Sequence, residues 1–454
     1  MKTILITVSH GAVAKNILRT KVIKTMLARP EVRVICLMKF PDRVSSYKSE
    51  ISHERLIYDS FYGVPKGALE RVFSFLKFSM MRTATTDLRQ RILYYERGNY
   101  IRYASRKLLN IIIARPSVRR ILRFFDYRFI SDSGFGAILE KYRPDVVCLS
   151  HLFDDSEISL LREAKKRKIA TIGFINSWDK LTARCSLRLL PDKLIVFNKI
   201  VKQEAVEHAD MPEERIAVCG IPQYDQYITE KPASKEEFCA KTGLNPAHSI
   251  ILFATMGGAF SDSDWEMIDL LRFIIEKERP IPDSQLFVRF QPNDFINERE
   301  LAKRPWLKYD LPGIRFGKER SVDWDMGFEE LKHLTDTLAN IAVLISYASS
   351  ISIDAAIFDK PVININFEIK NSTALKAPTF YYKTDHYQKA LRHGGIRLIR
   401  SKEELVDVIK VYLRDPSLDR EGRKRLVDEQ CWRLDGRSGE RVANAVLEAL
   451  RSKP

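Results

Sequence analysis

Short apolar runs of strand type alternate with helix-period segments along most of this chain. Residues 3–8 and 32–38 are apolar and rich in β-branched side chains, and the stretch 13–28 between them has helical periodicity and ends before Pro30. A strand, a tight turn, a helix and a second strand form a βαβ unit, whose two strands are parallel. This pattern predicts an α/β fold built on parallel sheets.

The alternation occurs in two blocks, separated by a polar stretch at 229–245. With 454 residues the chain is too long for one core, so each block is expected to form its own domain. We predict two doubly wound Rossmann-like domains, 1–230 and 245–415, facing a cleft at the carboxyl ends of their strands. Helices at 416–454 are expected to pack back across the hinge.

Positive charge is concentrated in the first third of the chain. Residues 1–130 hold 26 Lys and Arg against 9 Asp and Glu, whereas the remainder is balanced at 49 against 50. The segment 66–128, a predicted helical insertion, has 15 basic and 4 acidic residues interleaved with aromatic ones. It could lie on an anionic membrane or simply combine an aromatic core face with a solvated basic face. Since no helix-turn-helix, RNP or zinc-finger pattern accompanies it, nucleic acid is not an expected partner.

The cysteines and the first residues indicate a cytoplasmic protein. Six scattered cysteines form no C-x-x-C pair and have no His at metal spacing, which predicts neither disulfides nor a metal site. The first apolar run is too short for a signal peptide, and no window reaches ~18 apolar residues. If 66–128 faces a membrane, the protein would be peripheral on the inner face of the plasma membrane.

A nucleotide site is predicted at 346–364, SYASSISIDAAIFDKPVIN. A buried strand ends at Ser346, Ser349 or Ser350 caps the following helix, and the helix N-terminus favours a diphosphate. Asp354, on the same helical face as Ser350, could accept hydrogen bonds from ribose hydroxyls. The alternative is a plain serine cap followed by a solvated Asp. Neither a G-x-G-x-x-G after the first strand nor a P-loop pattern is present, which argues against an NAD enzyme and a P-loop NTPase.

Three further residues of the second block are candidate donor ligands. Gly257 and Gly258 follow its first strand and would let the backbone approach a ligand closely, or they form a simple tight turn. Arg289 ends the next strand, where its guanidinium could reach a donor phosphate, or it is a surface arginine.

The segment 346–364 resembles the nucleotide-sugar site of two-Rossmann-domain (GT-B) glycosyltransferases. It is most similar to the bacterial surface-polysaccharide branch related to CDP-glycerol glycerophosphotransferases and UDP-N-acetylglucosamine 2-epimerases. Further segments resemble that branch in the same order: HGAVAKNILRT (10–20), SWDKLTARC (177–185), GIPQYD (220–225), VRFQPND (288–294), Asp323-Trp324-Asp325 and DGRSGERVA (435–443). Three departures concern the acceptor side and proton transfer, namely Lys180 in place of Asn, Arg184-Cys185 in place of Lys-Gly, and Gln291 where His is frequent.

The resemblance implies a metal-independent glycosyltransferase without a cofactor. It would move a sugar from a nucleotide diphosphate, UDP- or CDP-linked, to a surface glycan or lipid-linked acceptor. Candidates for the catalytic base are His10 after the first strand, and His151 or Asp154 after the strand 145–150. The predicted acceptor-binding residues are Asn16, Ser177, Trp178 and Asp179.

Three other functions stay open at this point. A CDP-alcohol phosphotransferase or a nucleotide-sugar 2-epimerase-like enzyme would use the same fold. A catalytically inactive GT-B protein that binds a glycan would also fit, because fold alone does not fix function.

Overall fold

A computed structural model of the chain describes residues 1–63, 66–131, 134–277, 283–320, 323–370, 372–373 and 376–451. The chain divides into two compact units. Unit 1 comprises Met1–Ile228 and Cys431–Pro454, and unit 2 comprises Thr229–Gln430.

Unit 1 is built on a seven-stranded sheet in which every neighbouring pair is parallel. Its strands are β1 (Lys2–Val8), β2 (Val32–Met38), β3 (Leu56–Ser60), β4 (Val146–Leu149), β5 (Ala170–Phe174), β6 (Lys193–Val196) and β7 (Ile216–Val218). The spatial order is β3-β2-β1-β4-β5-β6-β7, so the order of strands reverses between β1 and β4. Such a reversal leaves a crevice at the carboxyl ends of the two strands.

Both faces of this sheet are covered by apolar packing. Ile4 and Ile6 of β1 belong to one buried cluster, whereas Leu5 belongs to the cluster on the opposite face. Because successive side chains of a strand alternate between faces, a sheet buried on both sides requires near-continuous apolar strands. This requirement explains the apolar runs in the sequence.

Helices of unit 1 fill the connections between the strands, and four of them between β3 and β4 carry most of the basic segment 66–128. The helices are α1 (Gly11–Ile17), α2 (Lys21–Leu27), α3 (Val44–Glu50), α4 (Ala68–Leu76), α5 (Ala84–Arg97), α6 (Tyr100–Ile113), α7 (Pro116–Phe129), α8 (Gly136–Tyr142), α9 (Asp155–Lys166), α10 (Lys199–Ala209) and α11 (Asp225–Thr229). A π-helical turn at Lys180–Arg184 follows β5.

Unit 2 contains a six-stranded parallel sheet and a short antiparallel ribbon. The strands are β8 (Ser249–Ala254), β9 (Ser284–Arg289), β10 (Tyr309–Asp310), β11 (Ile314–Arg315), β12 (Trp324–Asp325), β13 (Val343–Ser346), β14 (Val362–Ile365) and β15 (Arg397–Ile399). The order in the large sheet is β10-β9-β8-β13-β14-β15, which places the reversal between β8 and β13. The strands β11 and β12 form the ribbon.

The helices of unit 2 and the last helix of the chain complete the structure. They are α12 (Lys235–Thr242), α13 (Asp264–Arg272), α14 (Glu298–Ala302), α15 (Phe328–Asn340), α16 (Ile351–Ile357), α17 (Asp385–Leu391), α18 (Lys402–Arg414), α19 (Arg420–Cys431) and α20 (Ser438–Ala449). The last helix, α20, contributes Val442 and Val446 to the core of unit 1. Asp225 fixes its start by accepting hydrogen bonds from the N–H groups of Ser438 (2.9 Å) and Gly439 (2.7 Å). Among the described residues, no helix combines the length and the apolarity that a membrane crossing needs.

One prediction about secondary structure is wrong, and five short strands have no counterpart in the sequence prediction. The single helix expected at 13–28 is two helices, because Thr20 interrupts it and caps α2 by accepting a hydrogen bond from the N–H of Val22. The five short strands are β3, β10, β11, β12 and β15. The strands β3, β10 and β15 lie at sheet edges, where a short strand is only partly buried and lacks the long apolar run of a central strand. The strands β11 and β12 form a separate ribbon of two residues each.

Candidate active site

Several of the predicted site residues lie at the two places where strand order reverses. His10 follows β1 and His151 follows β4, at the reversal in unit 1. In unit 2, Gly257 follows β8 and Ser349 follows β13. Open parallel sheets bind ligands at such points, so each unit has one candidate site.

The two histidines of unit 1 are neighbours. Their ring centroids lie 4.9 Å apart with the planes tilted by 57°. The Nδ1 atom of each ring is buried and makes no hydrogen bond to a described residue. A buried polar atom without a partner is rare in proteins and is a common feature of sites that receive a ligand.

Both imidazoles are neutral at physiological pH. Burial, together with a smaller contribution from the positive charge of Lys180, lowers the pKa of His10 from 6.5 to about 4. Burial also brings the pKa of His151 well below 6.5, again with a contribution from Lys180. A neutral imidazole has a lone pair that can accept a proton, so the protonation state is the one that a general base needs.

Lys39 and Asp154 lie beside the histidines as an ion pair. Lys39 follows β2, and its Nζ donates to Oδ2 of Asp154 at 2.5 Å. The other carboxylate oxygen of Asp154 caps α9 by accepting from the N–H of Ser156. Asp154 therefore fixes the start of α9, and both of its oxygens are occupied. Its role as a base stays a prediction. We call the set His10, Lys39, His151, Asp154 and Lys180 the histidine cluster.

A buried glutamate lies directly beneath this cluster. Glu157 accepts a hydrogen bond from the backbone N–H of His151 at 2.7 Å. Burial, together with a smaller contribution from the negative charge of Asp154, raises the pKa of its carboxyl to about 7. Sequence reasoning did not select Glu157 or Lys39. Lys39 can be found from the sequence, because it immediately follows a predicted strand and therefore lies at the same sheet edge as His10.

The predicted acceptor residues occupy two neighbouring elements. Asn16 of α1 is 8% exposed and lines a small pocket with Ser150 and Asn176. Its Nδ2 donates to the carbonyl of Ala12, whereas its Oδ1 has no partner among the described residues. Asn16 thus lines the pocket with a side chain whose carbonyl oxygen is buried, and its acceptor role stays a prediction.

Ser177, Trp178 and Asp179 form the turn between β5 and the π-helical turn. The hydroxyl of Ser177 donates to Oδ1 of Asp179 at 2.5 Å, which stiffens this turn. All three side chains are half-buried. Stacking of Trp178 on a sugar and packing of Trp178 in the protein are both compatible with this burial.

In unit 2, a buried polar network fixes the start of α16. Asn364 of β14 donates to the hydroxyls of Ser346 (2.9 Å) and Ser352 (3.2 Å), and Tyr387 is hydrogen-bonded to both Ser352 and Asn364. All four side chains are fully or nearly fully buried. The network joins β13, β14, α16 and α17, so the turn at 347–350 is held on a rigid base.

The capping prediction for Ser350 is wrong. Ser350 stands at the N-cap position of α16, but its side chain accepts no capping hydrogen bond. The reason is its backbone, which has helical dihedral angles (φ −65°, ψ −20°) instead of the extended ones that aim a capping side chain at the next turn. Ser349 is half-buried and Ser350 is exposed, which leaves the Ser350 hydroxyl accessible to a ligand.

Asp354 lies in the first turn of α16 and is 6% exposed. The interpretation of this residue as a solvated Asp is therefore wrong. Its side chain is largely withdrawn from water, as expected of a carboxylate that serves a defined polar partner. Its role as a ribose ligand stays a prediction.

Gly257 and Gly258 form a turn that two carboxylates hold in place. Gly257 has a φ of +86°, and a Cβ on it would lie 2.7 Å from Oδ2 of Asp294, so both the angle and the space require glycine. Its N–H donates to Asp264 at 2.7 Å, and the N–H of Gly258 donates to Asp294 at 2.6 Å. Both N–H groups are thus already bonded to carboxylates, and Asp294 and Gln291 crowd the Cβ position of Gly257. Donor binding by the two glycines stays a prediction.

Arg289 is part of a buried ion network. It is 3% exposed, and its guanidinium pairs with Asp310 (2.9 Å) and Glu330 (2.5 Å). His333 contacts the same Asp310 at 2.8 Å. The interpretation of Arg289 as a surface arginine is therefore wrong. Arg289 could bind a donor phosphate only if its guanidinium left Asp310 and Glu330. The network links β9, β10 and α15.

With two reversing parallel sheets, the chain has a fold of the GT-B type, which confirms the predicted fold class. Solved structures of that fold match it over its whole length at low sequence identity. S. aureus MnaA in complex with UDP has a TM-score of 0.56 and 13% identity, covering 100% of this chain and 99% of that chain. The Neisseria meningitidis UDP-GlcNAc 2-epimerase bound to UDP-GlcNAc has a TM-score of 0.54 and 11% identity, covering 99% and 100%.

A family model is matched by one part of the chain. Residues 320–448 match the family described as CDP-Glycerol:Poly(glycerophosphate) glycerophosphotransferase, a region of less than a third of the 454 residues. No protein of curated function matches the chain significantly in sequence. The matched region contains the whole of α15, β13, α16 and β14, and so the predicted nucleotide site at 346–364.

Proposed function

We propose that this protein is a GT-B transferase that moves a glycerol phosphate or similar polyol phosphate from a CDP-linked donor. The acceptor is a hydroxyl of a surface polymer or of its lipid-linked precursor. The observation that carries the proposal is the family match at 320–448, which includes Ser349, Ser350 and Asp354. Nucleotide binding is assigned to these residues of unit 2, and acceptor binding to unit 1.

The chemistry requires a proton acceptor. The acceptor hydroxyl oxygen attacks the phosphorus that carries the polyol, a new P–O bond forms, and the bond to CMP breaks, so that CMP leaves. The hydroxyl proton passes to a neutral imidazole of the histidine cluster, His10 or His151, whose low pKa keeps it unprotonated at pH 7. Asp154 balances the charge of Lys39 in this cluster, so Lys180 is the cation that would meet an acceptor carrying phosphate.

Glycosyl transfer is the second candidate, and it is the main expectation from the sequence. The segment 346–364 supports it, because this segment resembles the nucleotide-sugar site of GT-B glycosyltransferases. In this reaction the acceptor oxygen attacks the anomeric carbon of the sugar, and the whole nucleoside diphosphate leaves. The histidine cluster would have the same role in both reactions.

The leaving group distinguishes the candidates. The protein is incubated with CDP-glycerol or with UDP-N-acetylglucosamine, each with and without a lipid-linked glycerophosphate oligomer, and the nucleotides are separated by ion-exchange chromatography. Acceptor-dependent release of CMP supports the proposal, and acceptor-dependent release of UDP supports glycosyl transfer. An isomerised sugar nucleotide without acceptor indicates an epimerase. No turnover of either donor, together with glycan binding, would establish an inactive binding protein.

A further inference from the structure

Exposed apolar side chains of this protein are concentrated on three helices of unit 1. Of the 23 large hydrophobic residues exposed among the described side chains, 12 lie between residues 69 and 129. The other 11 are scattered over the rest of the chain, so this density is specific to one segment. Large exposed apolar patches on a folded protein indicate a surface that binds a partner or a membrane.

The helix α7 has an apolar stripe that faces solvent. Ile121, Phe124, Phe125 and Phe129 are exposed by 43% to 61% and follow the i, i+3, i+4, i+8 spacing of one helix face. Neighbouring rings are in contact, with centroids 5.7 Å apart for Phe124 and Phe125 and 5.6 Å for Phe125 and Phe129. Packing against the protein leaves this stripe uncovered.

The helices α4 and α6 repeat the arrangement. Leu69, Val72 and Phe75 of α4 recur every third residue and are exposed by about half. On α6, Ile101, Leu108 and Ile112 recur at spacings of seven and four and are also exposed. Each helix therefore packs on the protein with one face and presents apolar residues on another.

The helices α6 and α7, with the residue that precedes α7, also present positive charge to solvent. Arg102, Arg115, Arg120 and Arg128 are exposed, and none of them forms an ion pair with a residue that the structure describes. The acidic residues Glu70 and Asp126 of α4 and α7 are instead buried against Arg162 and Arg188. The solvent side of the segment is thus both apolar and cationic.

We infer that α4, α6 and α7 form a docking surface for an anionic lipid bilayer. Helices that lie in the membrane interface combine a stripe of Phe, Leu and Ile with flanking Arg or Lys, which meet anionic headgroups. Charge complementarity favours an anionic bilayer over a second copy of this protein, since dimerisation through this surface would bring unpaired arginines together. It is favoured over nucleic acid because exposed aliphatic stripes gain nothing from a phosphate backbone.

The test is co-flotation of the full chain with vesicles. We expect binding to vesicles of phosphatidylglycerol and phosphatidylcholine in equal parts, weak binding to pure phosphatidylcholine, and loss of binding at about 1 M salt, where the Debye length is ~3 Å. Arg120→Glu with Arg128→Glu is expected to lower the partition coefficient by about tenfold or more. Ile121→Ser with Phe124→Ser lowers it at all salt concentrations, because the apolar contribution is not screened.

Matched variants control for charge and for folding. Lys24→Glu with Arg215→Glu makes the same charge change at exposed sites of unit 1 outside the segment, and Leu311→Ser with Ile314→Ser removes equally exposed apolar side chains from unit 2. Both controls are expected to float like the wild type. Equal binding to neutral and anionic vesicles overturns the proposal. So does a dimer that Ile121→Ser with Phe124→Ser dissociates, or salt-sensitive binding to DNA without any flotation.

Discussion

Arg188 and Asp126 pair in the interior of unit 1, with Nε and Oδ2 2.7 Å apart and both side chains 1% exposed. Arg188 also contacts Glu70 at 2.6 Å, and Arg162 contacts Asp126 at 2.6 Å. Glu70 and Asp126 belong to α4 and α7, whereas Arg162 belongs to α9 beside the sheet. The four residues therefore anchor the basic helices to the Rossmann-like core. Because Glu70 and Asp126 are buried in these pairs, they do not offset the positive charge on the solvent-exposed side of the segment.

Loss of Arg188 should destabilise unit 1 strongly. Arg188→Ala leaves two buried carboxylates with one arginine, and breaking a buried ion pair in this way costs ~3–5 kcal/mol. Urea unfolding measures the effect. The control is Arg167→Ala, which removes a partly exposed pair with Glu140 and should cost less than ~1 kcal/mol. Equal stability of the two variants would contradict the anchoring role.

Removal of the base should affect turnover and leave nucleotide binding intact. If His10 accepts the proton, His10→Ala lowers kcat by ~10²–10⁴, the usual contribution of a positioned base. The same is expected of His151→Ala if that ring is the acceptor. Steady-state kinetics and nucleotide titration measure both quantities, and His53→Ala, an exposed histidine of unit 1, is the control. Full activity in both His10→Ala and His151→Ala excludes the two imidazoles as the base.

The pH dependence of the reaction should depend on Lys180. A base works when it is unprotonated, so with a His10 pKa of about 4 the acid limb of kcat/KM should lie near pH 4. Lys180→Met removes one of the two main causes of the low pKa and moves the limb to higher pH. Burial, the larger cause, persists and keeps the limb below 6.5. Lys24→Met, at an exposed site, should leave the profile in place, and an unmoved profile in Lys180→Met excludes His10 as the titrating base.

Glu157 should make stability fall as the pH rises. In the folded protein its carboxyl has a pKa of about 7, raised by burial, whereas in the unfolded chain it ionises near 4.5. Between these values the folded state keeps a proton that the unfolded state has released. The stabilising contribution is complete below pH 4.5 and lost as the pH rises through 7, a change of ~3 kcal/mol. The variant Glu157→Gln should lack this pH-dependent loss of stability, because its amide does not titrate.

The free energy of unfolding is therefore measured for Glu157→Gln and the wild type from pH 4.5 to 8. Relative to the wild type, the free energy of unfolding of the variant should increase by ~3 kcal/mol from the lowest to the highest pH. Asp155→Asn is the control. Burial raises the pKa of Asp155, but Lys66 and Lys77 bring it down to about 2, so its carboxyl is ionised in both states above pH 4.5. A constant difference for Glu157→Gln would show that Glu157 is ionised in the folded protein.

The positions of the two candidate sites could be predicted from the sequence, but not the partners within them. His10 and Gly257 follow long apolar runs that are typical of central strands. In a parallel sheet, residues that follow the strands lie at the carboxyl-terminal edge of the sheet. The partners depend on pairing between distant residues. Arg289 looked available because nothing local shows that Asp310 and Glu330 occupy it. Lys39 was overlooked because its ion pair with Asp154 spans more than a hundred residues.

The donor class should be visible in a thermal-shift panel of CMP, CDP, UDP, GDP and TDP. A nucleotide at ~100 times its Kd stabilises the folded state by ~2.7 kcal/mol. We expect CDP or CMP to stabilise the wild type and to lose this effect in Asp354→Asn, since the amide cannot replace a carboxylate that accepts from two ribose hydroxyls. Asp407→Asn, at an exposed position of unit 2, should respond like the wild type. A response to UDP alone would favour glycosyl transfer, a full response in Asp354→Asn would remove Asp354 from the site, and no response to any nucleotide would contradict the proposed transferase.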